Sequence, residues 1–204
     1  MPQSSAHSDF LKTRLAMTRQ MTSLIDRSFI AAGPDMHRTR EDWVPGWVDM
    51  GHRVQGSAAE QSALRAIDDD GRLMWMVHTT GKARAFHSAA TDPVAAMEEA
   101  SVARQRRRMV KANWDEVKRL QSAALAGKLD MRVDIEDAPI GGLCALGTTW
   151  FMRRMGLARV RSLSARTTAL LGMIEPQVLH VLYAAATRQG VSSERGLVGA
   201  APAH

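Results

Sequence analysis

Apolar residues recur at helical spacing along most of this chain and alternate at strand spacing in only a few short stretches. Residues 1–7 read as a loose tail. Ser8 can cap a helix to about Ala32, since Leu11, Leu15, Thr18, Thr22, Ile25 and Phe29 fall on one stripe and Gly33-Pro34 stops it. Residues 34–56 have no clean period and hold Trp43-Val44-Pro45-Gly46-Trp47, a turn with an indole on each side. Ser57 with Glu60 three residues on forms a capping-box pattern, which predicts a helix ending at Asp68-Asp69-Asp70-Gly71. Leu73, Trp75 and Val77 then alternate, Thr79-Thr80-Gly81-Lys82 makes a turn, and Ala83 to His87 returns, which predicts a β-hairpin.

Asp92-Pro93 supplies an N-cap followed by proline at the first helical position. It opens a helical stretch that can reach Ala126, with Gly127 as its stop. Met131 to Ile135 alternates and predicts a third strand beside the hairpin. A helix is expected around Leu146–Met155, closed by Gly156, and Ser164 starts the last helix, kinked or split at Pro176. The expected fold is α+β and predominantly α-helical, with five or six helices and a small antiparallel β-hairpin or sheet. It forms one compact domain over residues 8–190, with a mobile tail over 191–204.

Composition adds to this picture. Apolar residues make up 45% and charged residues 24%, the balance of a globular chain. Thirteen Met with only 5% aromatic residues suit a helical core of adaptable side chains. One cysteine, Cys144, excludes an intrachain disulfide and a cysteine-based metal cluster. No apolar run approaches the roughly 20 residues of a membrane span, and the first residues lack the pattern of a secretory signal. A cytoplasmic protein without a membrane partner is the expectation.

Charge changes the picture most. The net charge is +6, and residues 101–132 carry nine Lys or Arg against three Asp or Glu. On one continuous helix, Arg104, Arg107, Arg108, Lys111 and Lys118 share a face, with Val102, Met109, Val110, Trp114, Val117, Leu120 and Ala124 opposite. Arg106 alone points to the apolar side, where it snorkels, pairs with a carboxylate or marks a helix break. Side chains of this kind track phosphates and give salt-dependent affinity; equally, such a face can simply be solvated. Arg119, Arg159, Arg161 and Arg166 extend the basic set. Residues 148–174, with Gly156 between two helices, also allow a helix-turn-helix whose second helix offers Arg166, Thr167 and Thr168.

Other candidates carry less. Cys144 lies before a helix, where its thiol pKa would fall, but Leu143 and Leu146 on either side suit a structural thiol. His78 and His87, with positions 78 and 83 paired, stand four strand positions apart, roughly 13 Å, too far for one metal. His180 falls opposite the Leu and Val stripe of the last helix and is expected at the surface. Asp68-Asp69-Asp70 and Glu136-Asp137 are the densest carboxylates and could do acid–base work or bind a cation, but Asp68–Asp70 before Gly71 are read as turn formers, and Trp43 and Trp47 as core anchors. No catalytic motif, metal site or cofactor is expected. The best-supported function is a basic regulatory protein that binds nucleic acid, DNA ahead of RNA, through the Arg-rich helix. Its rival is an interaction module docking an acidic protein surface, with homo-oligomerisation open to either.

Overall fold

The structure, a computed structural model, describes residues 36–39, 43–57 and 60–191. The helix expected at 8–32 and the tails at 1–7 and 192–204 lie outside the described residues. The chain divides into two compact units, with the boundary between Ala100 and Ser101.

The first unit is built on a five-stranded antiparallel sheet in sequential order. Its strands are β1 (Met36–Arg38), β2 (Gly46–Gln55), β3 (Gln61–Asp68), β4 (Leu73–Thr79) and β5 (Phe86–Ser88). This sheet corrects the expectation of a helix-dominated fold with one small hairpin, and β3 is where the pattern misleads. Ser62, Ala63, Leu64, Ala66, Ile67 and Asp68 are all buried, so both faces of the strand are covered and no alternation marks it. A short run of Ala, Leu and Arg with apolar residues on every side is then indistinguishable from a buried helix by period alone. Ser57 and Glu60 do not cap a helix. They belong to the β2–β3 connection, where the Gly56 N–H donates to the Gln61 carbonyl at 2.9 Å and the Thr80 N–H to the Glu60 carbonyl at 2.8 Å.

β2 hides its period for a different reason. Its pairing with β3 shifts register between Val48 and Arg53, so four buried residues at its start give way to alternation after the irregularity. Asp49, 3% exposed, fixes that irregularity: its carboxylate accepts the Gly51 N–H at 3.0 Å and pairs with Arg65 at 3.5 Å. The β4–β5 hairpin forms, but Val77 pairs with Phe86 and Met76 with His87, two residues away from the expected register. The Lys82 N–H closes a turn on the Thr79 carbonyl at 3.0 Å, and residues 83–85 stay outside the ladder. The Asp68–Asp70 cluster is a turn between strands: the Asp68 carboxylate accepts the Arg72 N–H at 2.8 Å, and Trp47 is buried in the sheet at 4% exposure.

Helix α1 (Pro93–Ala112) begins in this unit. Asp92 caps it as the sequence predicts, with Oδ1 accepting the Val94 and Ala95 N–H groups at 3.0 and 2.9 Å. Ala96, Met97 and Ala100 pack on Ala63, Trp75 and Val77 to form the core of the unit.

The second unit holds the rest of α1, then α2 (Trp114–Leu125), β6 (Arg132–Asp134), α3 (Asp137–Ile140), α4 (Ala145–Arg154), β7 (Ser162–Ser164), α5 (Ala165–Ile174) and α6 (Val178–Arg188). The long helix expected from Pro93 to Ala126 breaks at Asn113, which flanks the start of α2. The strand expected at 131–135 forms, but its partner is β7 in a separate two-stranded sheet. Pro176 splits the last helix into α5 and α6. Val117, Leu120, Ala124, Val133, Ala169, Leu182 and Ala185 are central to the core. At its edge the Asp137 carboxylate, 1% exposed, takes a two-pronged hydrogen bond from Arg188 at 2.7 and 2.9 Å, tying the end of α6 to α3.

Ile67 is fully buried in the strand that sequence pattern assigns to a helix. Replacing it with Ala is expected to cost about 2–5 kcal/mol in chemical denaturation. In the wild type, slow amide exchange across residues 61–68 should follow the cross-strand partners on β2 and β4. A loss under 1 kcal/mol, or protection with a helical i to i−4 pattern, contradicts the sheet.

Candidate functional site

The second unit concentrates the charge of the chain. Residues 101–191 contain fifteen Lys or Arg and seven Asp or Glu, a surplus of eight against +6 for the whole sequence. How these cations are placed follows from a backbone turn at Gly141-Gly142.

Gly142 has φ +85°, and a Cβ there would lie 2.5 Å from the Ala103 carbonyl oxygen of α1. A Cβ on Gly141 would lie 2.7 Å from the His180 carbonyl oxygen of α6. The turn therefore slots between α1 and α6 because it has no side chains. Three side chains fasten it. Arg107 donates to the Gly142 carbonyl at 2.7 Å, Arg106 donates to the Pro139 carbonyl at 2.9 Å, and the His180 Nδ1 meets the Gly141 carbonyl at 3.2 Å. A carbonyl can only accept, so Nδ1 carries the proton and Nε2 the lone pair.

These contacts revise the expected basic face. Arg107 is half-buried and held in the fold, and Arg106 reaches a carbonyl instead of a carboxylate. Val102 and Met109, expected in the core opposite the basic side, are 46% and 56% exposed. The physical reason lies within this unit: Ala103 and Val110 are buried, and the Gly141-Gly142 turn lies against α1 at Ala103 and Arg107, so that side of the helix is covered. The break at Asn113 resets the phase, and Val117, Leu120 and Ala124 of α2 do face the core. Arg104 is half-buried, while Arg108 and Lys111 are exposed. Lys118 and Arg119 are exposed on α2, and each has a carboxylate one turn away, Asp115 at 3.9 Å and Glu116 at 2.7 Å.

Arg159, Arg161 and Arg166 are exposed around β7 and the start of α5. The β6–β7 pairing brings Arg132 to them: its guanidinium donates to the Ser162 hydroxyl at 3.1 Å and carbonyl at 3.3 Å. Sequence reasoning placed Arg132 beside the hairpin and missed this grouping, because a three-residue strand carries no signal of its partner. Ser164 caps α5 by accepting the Thr167 N–H at 3.1 Å. Between α4 and α5 lie residues 155–164, which include β7, so the short connection of a helix-turn-helix is not made.

The remaining candidates resolve into structure. Cys144 is the N-cap of α4, its sulfur accepting the Gly147 N–H at 3.3 Å. His180, expected at the surface, is 3% exposed and packs on the Trp114 indole at 5.9 Å between ring centroids. Burial lowers its pKa, the Gly141 hydrogen bond opposes that shift, and the Arg107 and Lys111 cations lower it further. Burial likewise lowers the pKa of Arg107, against the influence of Cys144. In the first unit the corrected hairpin register puts His87 opposite Met76, two strand positions from His78, about 7 Å. No group of three metal-ligating side chains occurs among the described residues. No helix among them is long and apolar enough to cross a membrane. No protein family matches the chain, and neither a curated protein nor a solved structure is similar to it.

Two measurements check these assignments. Gly142→Ala is expected to lose at least about 2 kcal/mol, because the left-handed backbone alone costs roughly 1–2 kcal/mol and the Ala103 contact adds to it. Gly156→Ala, at φ +71° with no atom within 4 Å, should pay only the backbone cost; equal losses would refute the wedged turn. The second concerns His87, whose pKa burial lowers from 6.5 to about 4, with the His78 charge acting the same way. The unfolded chain takes up this proton first, so stability is complete above pH 6.5 and falls as the pH drops towards 4. The loss is on the order of 3 kcal/mol, and His87→Gln should flatten that part of the pH–stability curve.

Proposed function

We propose that the helical unit binds nucleic acid, duplex DNA ahead of RNA, through phosphate contacts, and that the protein acts as a regulator by occupying it. The observation that carries this reading is the surplus of eight positive charges within residues 101–191, part of it on exposed side chains. Arg108 and Lys111 on α1 form one group, and Arg132, Arg159, Arg161 and Arg166 around the β6–β7 sheet form another. Guanidinium groups suit the forked geometry of phosphate oxygens. Contacts of this type position a protein on the backbone without reading sequence. Lys118 and Arg119 contribute less, since Asp115 and Glu116 already offset them. Arg104 and Arg107 act from behind the surface and do not touch the phosphates.

A second reading, an acidic protein partner, draws on Val102 and Met109. Two apolar side chains seven residues apart on one exposed helix face, beside Arg108, resemble the centre of a protein interface.

An electrophoretic shift series over salt concentration separates the two. The wild type should bind duplex DNA at low salt, with affinity falling as salt rises. Arg108→Glu with Arg161→Glu should flatten the salt dependence by about one slope unit for each phosphate no longer neutralised. It should weaken all sequences alike, with stability changed by less than about 0.5 kcal/mol. No affinity for DNA or RNA at low salt rejects the proposal, and the acidic-partner reading then takes its place.

A further inference from the structure

A cleft of about 490 Å³ opens in the helical unit, lined by Lys111, Trp114, Pro176, Gln177 and His180. We propose that this cleft binds a small planar aromatic carboxylate. The inference is independent of the nucleic-acid reading.

Its volume falls within the roughly 300–1,000 Å³ typical of small-molecule sites. Much of its wall is flat: the Trp114 indole, the Pro176 ring and the His180 imidazole, which meets Trp114 at a tilt of 58°. Flat apolar walls suit an aromatic ring. Of the polar lining groups Lys111 alone carries a charge. None of the five lining residues is acidic, and Lys111 is exposed with no ion pair among the described residues. Arg107 and Lys111 both act electrostatically on His180, so the cleft floor lies in a positive field.

The cleft also opens at the start of α6, where Gln177 is the N-cap, and the positive end of the helix dipole points there. Glu175 compensates part of that field, because its carboxylate accepts the Gln177 N–H at 3.2 Å. The first amides of α6 are already committed. Val178, Leu179 and His180 donate to the carbonyls of Glu175, Pro176 and Gln177 at 3.0, 3.1 and 3.0 Å. That leaves no backbone cradle for a phosphate. A single ammonium beside a flat apolar wall matches a carboxylate on a ring. His180 completes the set: with Nδ1 donating to Gly141, the neutral ring keeps Nε2 to accept a hydroxyl or N–H from the ligand.

The test is calorimetric titration of the full chain with 4-hydroxybenzoate, alongside 4-hydroxybenzamide, which keeps the ring and hydroxyl but not the charge. Saturable binding of the acid is expected, with the amide at least about tenfold weaker, the usual scale of one charged hydrogen bond. Lys111→Met should reduce the acid to the affinity of the amide and leave the amide unchanged. The indole N–H resonance of Trp114, assigned with Trp114→Phe, should shift on addition of the acid. Absence of saturable binding overturns the proposal, as do equal affinities for acid and amide or undiminished acid binding by Lys111→Met. The Arg108→Glu, Arg161→Glu protein should still bind the acid. Retained acid binding with abolished DNA binding would show that the two surfaces fail or succeed separately.

Discussion

The helical unit depends on one close approach, the Gly141-Gly142 backbone set against α1 and α6 where no Cβ would fit. Because the turn is bare, its carbonyls stand within reach of side chains on both helices. Arg106 and Arg107 come from one side and His180 from the other. A buried carbonyl without a donor is costly, and the Arg107 and His180 hydrogen bonds remove that cost at the buried Gly142 and Gly141. The arrangement also sets the chemistry nearby. It fixes the tautomer of His180, places that ring under Trp114, and holds the Arg107 guanidinium beside Cys144, whose sulfur is occupied with capping α4.

The arginines consequently divide by task. Arg188 locks the buried Asp137, Arg65 pairs with the buried Asp49, and Arg106 and Arg107 hold backbone carbonyls. Arg108, Arg159, Arg161 and Arg166 remain at the surface. The number of basic residues in a segment therefore overstates the surface charge a partner meets. Guanidinium groups serve both tasks because they stay charged when partly buried and can bridge two acceptors at once. The rigid hydrogen bonds around Gly141 and Gly142 also give the Lys111–Trp114–His180 cleft fixed walls, which a small ligand requires more than a polyanion does.

The first unit rests on another constraint. A strand covered on both faces, β3, joins β2 to β4, and its apolar side chains supply much of the sheet's core. Asp49 and Arg65 lie within this apolar setting as a paired, hydrogen-bonded exception next to the register shift in β2. Irregularities of this kind bend a strand and interrupt its period, and they leave no simple trace in the pattern of apolar residues.

Local signals were legible in the sequence wherever a few neighbouring residues decide the outcome. Asp92-Pro93 and Ser164 start helices, Gly156 ends one, Pro176 splits another, and the β4–β5 hairpin exists. The same holds for the existence of β6 and for the core face of α2, both set by local period. Tertiary structure decided what depends on distant partners. It made β3 a strand, since burial on both faces erases the period that would separate it from a helix. It paired β6 with β7, since hydrogen bonding between short strands is non-local. It turned α1 so that Arg107 faces inward and Met109 outward, since the Gly141-Gly142 turn, distant in sequence, covers the helix at Ala103 and Arg107. It buried His180 for the same reason: the helix period tells which residues share a face, and only the arrival of a second element, here the Gly141-Gly142 turn, tells whether the opposite face is covered.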